Sequence, residues 1–525
     1  MKYLTLNPIT AGLTDLVDAA KVGLGAVALQ ARHMYNGYHL GEPVGGGEMN
    51  FAYWRGPMVR VPDEGTETEK RRALNVVSEF QTALRRSFTS TNVTKEVVRR
   101  DVTSSSARMS WTLMQPGVTR AQDTDRTDLE QEADALATSW WSAEIEKAIR
   151  AGLTFARREG RGVLRFRVAG GLLQLGEDQV LRVRAGSKPT DIARYVRLEC
   201  LTTPENARIW EDPDTLTMRA VYTYQDAQKR ECVEVSAVDD QDGLTHLRIL
   251  RGSDDQAASA ALDLGGHVHY LQLAAEPLIT AQFLQNQMAY NTTSTMILRN
   301  TELAGFLERY GINVEPPYEV VDDPDRPGQT KRVYKSPRLG PGSMTLWRQS
   351  TIAKADAEGE YQGDQPLGTA QYGRFEPVSP QALITAAEHS QLNMYSEVGQ
   401  TFVLMGKDAT VSGRSREVAI ADFDTIREET VLLAQAAVRG VVTTFLALVA
   451  ALSGQPRRYA LLDVQGTVRS RTVPPSPEDR RADREDVAGG VISKATARQR
   501  QGLDDPAQED AQIEREKPQE REAQV

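Results

Sequence analysis

Cysteine is nearly absent from this chain. Cys200 and Cys232 are the only two in 525 residues, too few for a disulfide-stapled secreted scaffold. Both fall in β-like runs, so buried free thiols and a reducing compartment are expected. Histidine is also scarce, with six in all, and no HExxH or CxxC spacing stands beside them to hold a metal. A signal peptide is not expected, because MKYLTLNPITAGLTDLVDAAK lacks both an apolar core and a cleavage site. The greasiest run, VLLAQAAVRGVVTTFLALVAAL at 431–452, is broken by Arg439-Gly440, whereas a span needs about 20 predominantly apolar residues. A soluble protein without a membrane role is expected. Basic charge is short as well: 62 Lys and Arg against 72 Asp and Glu give a net charge of −10. That argues against a broad basic face gripping nucleic acid, though not against a chain past which DNA slides.

The motifs of catalysis are equally thin. VGLGAVA at 22–28 matches G-x-G-x-x-A, but helical TDLVDAAK precedes it where a dinucleotide fold needs a strand. In MGKDA at 405–409, a phosphate loop would need glycine at Thr401 and Ser or Thr at Asp408. His267 and His269 in GGHVHYLQL would share one face of a strand as ordinary sheet histidines. A metal-dependent hydrolase built on them is the alternative. No G-x-S-x-G elbow occurs. Asp239-Asp240, Asp254-Asp255 and Asp322-Asp323 sit in turn-like contexts that suit solvated carboxylates. No catalytic residues, cofactor or metal site are assigned, and the chain is not expected to be an enzyme.

What is present is a distinctive order of elements. The length suits roughly three or four domains. The stretch from Glu67 to Arg100 reads as helix, with Leu74, Val77, Phe80 and Leu84 at helical spacing, and 128–158 as one or two more. Alternating runs at 162–168, 194–201, 215–224, 230–238 and 245–252 then predict an antiparallel sheet with one wet face. The following stretch, 274–311, is helical, and Arg299 is its only charge from Ala281 to Thr301, as for a helix covered on several sides. Residues 312–378 are Pro/Gly-punctuated, with a hairpin in YEVVDDPDRPGQTKRVYKSP and a further strand near SMTLWRQ. A second helix runs from Pro380 to Val398, then the loop TFVLMGKDATVSGRS at 401–415. From Arg414 to Leu452 one helix of about 58 Å is expected, with a kink at Gly440.

The tail GGVISKATARQRQGLDDPAQEDAQIERE at 489–516 reads as two short, well-capped helices with little to bury. Ser493 caps one, Gly502 stops it, and Asp505-Pro506 starts the next with Gln508 at its third position. Isolated helices of this length are marginal.

Over residues 65–517 this order resembles the portal proteins of tailed bacteriophages, in their large SPP-type branch. Gly489-Gly490, Ser493-Lys494, Thr496-Ala497, Asp505-Pro506 and Glu509 stand at the places of that family's G-G-x-x-S-K-x-T-A and D-P-x-x-E pattern. ARIWEDPDTLTMRAVYTYQD at 207–226 is similar to its wing strands, and AIRAGLTFARREGRGVLRFRV to the helix-strand step before them. The resemblance implies an α+β portal fold with a helical/β wing, two-helix stem, small α/β clip, long kinked wing helix and helical crown. Residues 1–60 stay unplaced, 61–275 are wing, 276–305 the first stem helix and 306–378 the clip. The second stem helix is 379–400, the tunnel loop 401–415, the long helix and return to the wing 414–474, and the crown and acidic tail 475–525.

It further implies a homo-oligomeric ring, usually twelve-fold, in which crown helices pack on their own copies. The ring would sit at the capsid vertex of the virion after assembly in the host cytoplasm. Its partners would be the terminase large subunit, a head-tail adaptor, the major capsid protein and scaffold. Double-stranded DNA would pass through without sequence-specific binding. Met405, Gly406, Lys407, Asp408 and Gly413 would face that DNA, with Arg414 and Arg416 as weaker candidates. Asp323, Asp325, Arg326, Lys331 and Arg332 would contribute to docking at the clip. Another ring-forming head-tail connector is the alternative within the virion.

Overall fold

A computed structural model describes residues 6–43, 49–50, 66–68, 88–115, 126–168, 173–175, 181–183, 188–251, 254–305, 309–315, 318–322, 330–334, 348–355, 361–366, 368–374, 379–405 and 413–469, with 481, 484–485 and 487 in the tail. The crown segment therefore lies almost wholly outside the described residues, as does most of the Glu67–Arg100 pattern. The fold is mixed helix and sheet, divided into two compact units. Met1–Tyr35, Thr94–Thr280 and Val398–Val525 make up the first, and Asn36–Val93 with Ala281–Glu397 the second.

The first unit opens with α1 (Leu13–Ala20) and α2 (Ala26–Tyr35), so a helix and not a strand precedes the glycines at 23 and 25. Arg32 of α2 forks onto Glu159, with Nε–Oε1 2.9 Å, and onto Glu205, with Nη1–Oε1 2.6 Å. Residues 88–92 are not helical, and α3 (Val93–Ser105) begins after them, so the expected helix does not run through this stretch. Strand β1 (Arg108–Met114) follows, then α4 (Asp128–Trp140) and α5 (Ala143–Glu159). A capping box starts α4: Glu130 Oε2 accepts the Thr127 N–H at 2.8 Å while Thr127 Oγ1 accepts the Glu130 N–H.

Strands β2 (Arg161–Val168), β3 (Val196–Cys200), β4 (Ala207–Glu211), β5 (Met218–Gln225), β6 (Glu231–Val238), β7 (Thr245–Arg251), β8 (Asp254–Leu262) and β9 (Tyr270–Ala274) form two sheets. One is a five-stranded antiparallel meander, β8-β7-β6-β5-β4, and the other is β9-β2-β3. The meander has no wet face at its centre, because β6 is buried from Cys232 to Val238. Leu16, Val17 and Ala20 of α1 cover Val221, Val233, Val235 and Ala237 on one face. Val163, Val268 and Tyr270 cover Ala220, Tyr222 and Val238 on the other. The alternating polar residues that read as solvent-facing, such as Glu234 and Ser236, are themselves buried. Cys232 is buried and Cys200 half-buried, and both are free thiols, as expected.

In the second unit α6 (Ala281–Gly305) and α7 (Gln381–Glu397) pack on each other. The scarcity of charge on α6 has a local cause. Gln287, Asn291 and Thr295, four residues apart, form a buried polar stripe. Gln287 Nε2 donates to the Thr91 carbonyl at 2.8 Å, Asn291 Oδ1 accepts the Thr91 N–H at 3.2 Å, and Thr295 Oγ1 accepts the Thr89 N–H at 3.1 Å. The stripe thus satisfies an extended backbone of the same chain.

Between these helices the described residues of 306–378 form strands alone, where an α/β module was expected. They are β10 (Arg309–Ile312), β11 (Val314–Glu315), β12 (Tyr318–Asp322), β13 (Thr330–Tyr334), β14 (Arg348–Gln349), β15 (Thr351–Ala355), β16 (Tyr361–Pro366) and β17 (Gln371–Arg374). They pair antiparallel as β10–β17, β11–β14, β12–β13 and β15–β16. The β12–β13 pair, with Asp322 opposite Thr330, is the hairpin read from the sequence.

The chain then rejoins the first unit through α8 (Phe402–Met405) and α9 (Gly413–Leu452), whose 40 residues span about 60 Å. By length and composition α9 could cross a membrane, but half of its most apolar window is buried in the fold. The helix assignment continues through Gly440. A Cβ there would come within 2.9 Å of Leu271 on β9, so the glycine serves close packing. Finally β18 (Asp463–Arg469) pairs antiparallel with β1.

Candidate functional site

The segment between α8 and α9 and the hairpin β12–β13 carry the candidate site residues. Within the loop expected at 401–415, Phe402–Met405 are helical as α8, with Met405 half-buried, and 413–415 already belong to α9, while Gly406, Lys407 and Asp408 lie outside the described residues. Gly413 begins α9, with Arg414 and Arg416 in its first turns. Asp323, Asp325 and Arg326 lie outside the described residues, while Lys331 and Arg332 sit on β13 opposite Val321 and Val320.

The frame from which this segment departs is well built. Gly399 has φ +63°, and a Cβ would come 2.6 Å from Ile426 Cδ1 and 3.3 Å from the Asp422 carbonyl. Only glycine fits both that backbone and that contact with α9. Gln400, fully buried, accepts from Arg100 Nη1 at 2.8 Å and donates to the Val97 carbonyl at 3.0 Å. The Phe402 ring lies 5.4 Å from Phe423. Arg100 stands 6.0 Å over the first ring and Arg427 5.6 Å over the second, so a tilted pair of rings is flanked by one cation on each. α8 is thereby pinned to α3 and α9.

Beside this frame lies a charge cluster that the sequence reading missed, with Arg157 and Asp101 buried and Glu429 half-exposed at its edge. Arg157 of α5 is 2% exposed and Asp101 of α3 is 0% exposed. Arg157 Nη1 donates to the Glu276 carbonyl at 2.7 Å and to Glu429 Oε2 at 2.5 Å, and its Nε stands 3.4 Å from Asp101 Oδ2. Thr430 donates to that same Asp101 oxygen at 2.8 Å. Glu429 Oε1 accepts the Glu276 N–H at 3.1 Å, and the Leu278 N–H donates to the Arg157 carbonyl at 2.7 Å. Asp101 Oδ1 is buried without a donor. Burial pushes the Asp101 carboxyl up to about 6, against the pull of Arg157 and Thr430. The available signal was a charge at apolar spacing: Asp101 is four residues beyond Val97, and Arg157 four beyond Leu153.

The two histidines do not form a pair on one strand, because β9 begins only at Tyr270. His269 Nε2 lies 2.7 Å from Glu234 Oε1, which also accepts from Tyr270 Oη at 2.8 Å, and Arg165 pairs with the same carboxylate. Burial would raise the Glu234 carboxyl, but the His269 hydrogen bond and the charges of His269 and Arg165 outweigh it and hold it at about 2. His267 instead lines a cavity of about 490 Å³ with Leu271, Gly440 and Thr443, and its pKa is lowered by burial. The ring faces are thus committed to different surroundings, and no bidentate metal site results from the two.

Among the described residues, the one group of three potential ligands is Asp239, Asp242 and His246. The Asp239 and Asp242 carboxylates accept the Gln241 and Leu244 N–H groups at 3.0 and 2.7 Å. His246 Nε2 stands 3.0 Å from Asp242 Oδ2. The arrangement is that of a turn closed by its own side chains.

No protein-family model matches the chain, and none of the curated proteins matches it.

Proposed function

We propose that the chain is the repeating subunit of a portal ring in a tailed bacteriophage, a conduit for packaging and ejecting double-stranded DNA. The observation that carries this reading is the sequence of described elements from 281 to 452: a helix, a set of antiparallel strand pairs, a second helix packed on the first, a four-residue helix and a 40-residue helix. In this reading α6 and α7 are the stem, the strands between them the clip, 401–415 the tunnel loop and α9 the helix crossing the wing. Asp323, Asp325, Arg326, Lys331 and Arg332 would help dock the terminase or the head-tail adaptor.

A conduit needs no catalytic group. Each phosphate neutralised by a cation adds affinity and salt dependence, which would impede sliding. The net charge of −10 per subunit suits free passage, with Lys407 touching the DNA backbone transiently and Asp408 limiting the grip. The helix–strand–helix excursion favours a portal over a smaller head-tail connector. The conduit reading is favoured over the hydrolase because His267 lines a cavity with Leu271 and Gly440 while His269 stands against Glu234, so the two rings do not share one surrounding.

Native mass spectrometry of the purified full chain, with negative-stain images of the same sample, tests the proposal. Closed rings of about twelve copies with a central hole are expected. A stable small oligomer without a hole would overturn it.

A further inference from the structure

Arg157 joins parts of the first unit that lie far apart in the chain. Both polar groups of the Glu276 backbone are held by the Arg157–Glu429 pair: the carbonyl by the guanidinium and the N–H by the carboxylate. Glu429 belongs to α9, and Glu276 to the short segment 275–280 from which the chain passes into α6. Behind Arg157, Asp101 ties the same guanidinium to Thr430, one residue further along α9.

Because Arg157 and Asp101 are buried while Glu429 is half-exposed, the cost of partial opening falls on Arg157 and Asp101. If α9 shifted and took Glu429 with it, Arg157 would keep the Glu276 carbonyl and a single anion, Asp101, whose second oxygen already lacks a donor. A buried charge left short of partners is strongly disfavoured. Moving the 275–280 segment away would likewise strip a carbonyl from Arg157 and an N–H from Glu429. The favourable arrangements are the whole cluster or a substantially different one.

We infer that Arg157 is a positioning residue that couples α9 to segment 275–280, so that loosening the cluster from the α9 side releases that segment. The coupling belongs to the folded subunit and does not depend on ring formation or on the portal reading.

Hydrogen–deuterium exchange of the full chain tests this with two variants. Thr430→Val removes the hydroxyl on Asp101, and Thr430 makes no contact with 275–280 among its hydrogen bonds here. An effect on that segment therefore travels through the cluster, by Asp101 and Arg157 or by the neighbouring Glu429. Amides of 275–280 are expected to exchange several-fold faster in Thr430→Val and about tenfold faster in Glu429→Gln, with those of 231–238 unchanged. In the double variant the accelerations should fall well short of multiplying, because both changes open one cluster. If Thr430→Val speeds only amides near residue 430 and leaves 275–280 as in the wild type, the inference is overturned. Multiplicative effects in the double variant would overturn it as well. Should Glu429→Gln fail to fold, the Thr430→Val comparison decides alone.

Discussion

The indole of Trp140 lies flat on the ring of Phe445, with centroids 3.9 Å apart and planes within 7°. Its Nε1–H donates to the Val196 carbonyl at 3.0 Å, so one side chain joins α4, β3's first residue and the apolar half of α9. Phe445 is 0% exposed. Phe445→Ala should cost about 3–5 kcal/mol by combining lost burial with a cavity, and Phe445→Leu clearly less. Urea unfolding of the two variants against the wild type checks the order.

Acid should unfold the protein in part through Glu234. Its folded pKa of about 2 lies below the ordinary 4.5, so its contribution is complete above pH 4.5 and fades as pH falls towards 2. Glu234→Gln should lose about 3 kcal/mol at pH 7 and show a flatter stability profile between pH 4.5 and 2. Unfolding curves at pH 7, 4 and 3 give the comparison.

Asp101 has the opposite sign. Its folded pKa of about 6 lies above the ordinary 3.8, so the fold favours the protonated acid. The associated stability is fully present below pH 3.8 and is lost as pH rises through 6. Asp101→Asn should accordingly gain on the wild type as pH rises from 4 to 7.5, on top of whatever constant cost the lost anion beside Arg157 brings. A Tm series across that interval measures it, and an unchanged difference at both ends would assign the effect to packing.

For the portal reading, Lys407→Ala and Lys407→Glu should lower DNA packaging and retention in that order while leaving Tm unchanged. Packaging assays with both variants at wild-type level would remove Lys407 from any DNA-facing role.

Much of the fold was legible as periodicity. The helix at 128–158, now α4 and α5, the strands β5, β6 and β7, the hairpin at 318–334, both helices flanking the strand region and the 40-residue helix announced themselves by spacing and punctuation, whereas Asp254 and Asp255, read as turn residues, begin β8. The bounds of α6 and α7 fall inside the predicted 276–305 and 379–400. Local pattern suffices there because helix and strand repeats arise within a few residues. The candidate site was less legible. Gly399 could be seen only as a glycine, and its contact with Ile426 arises from a residue 27 positions later (426 − 399).

The sequence specified which stretches become helix or strand, since backbone sterics and the spacing of apolar side chains act over one or two turns. Tertiary structure alone decided what those stretches meet. It placed α1 over the meander and turned Glu234 from a solvent-facing candidate into a buried anion. It also made Gly440 a contact for Leu271, and brought Asp101, Arg157 and Glu429 together. Each outcome depends on partners tens to hundreds of residues away, whose proximity no local periodicity encodes.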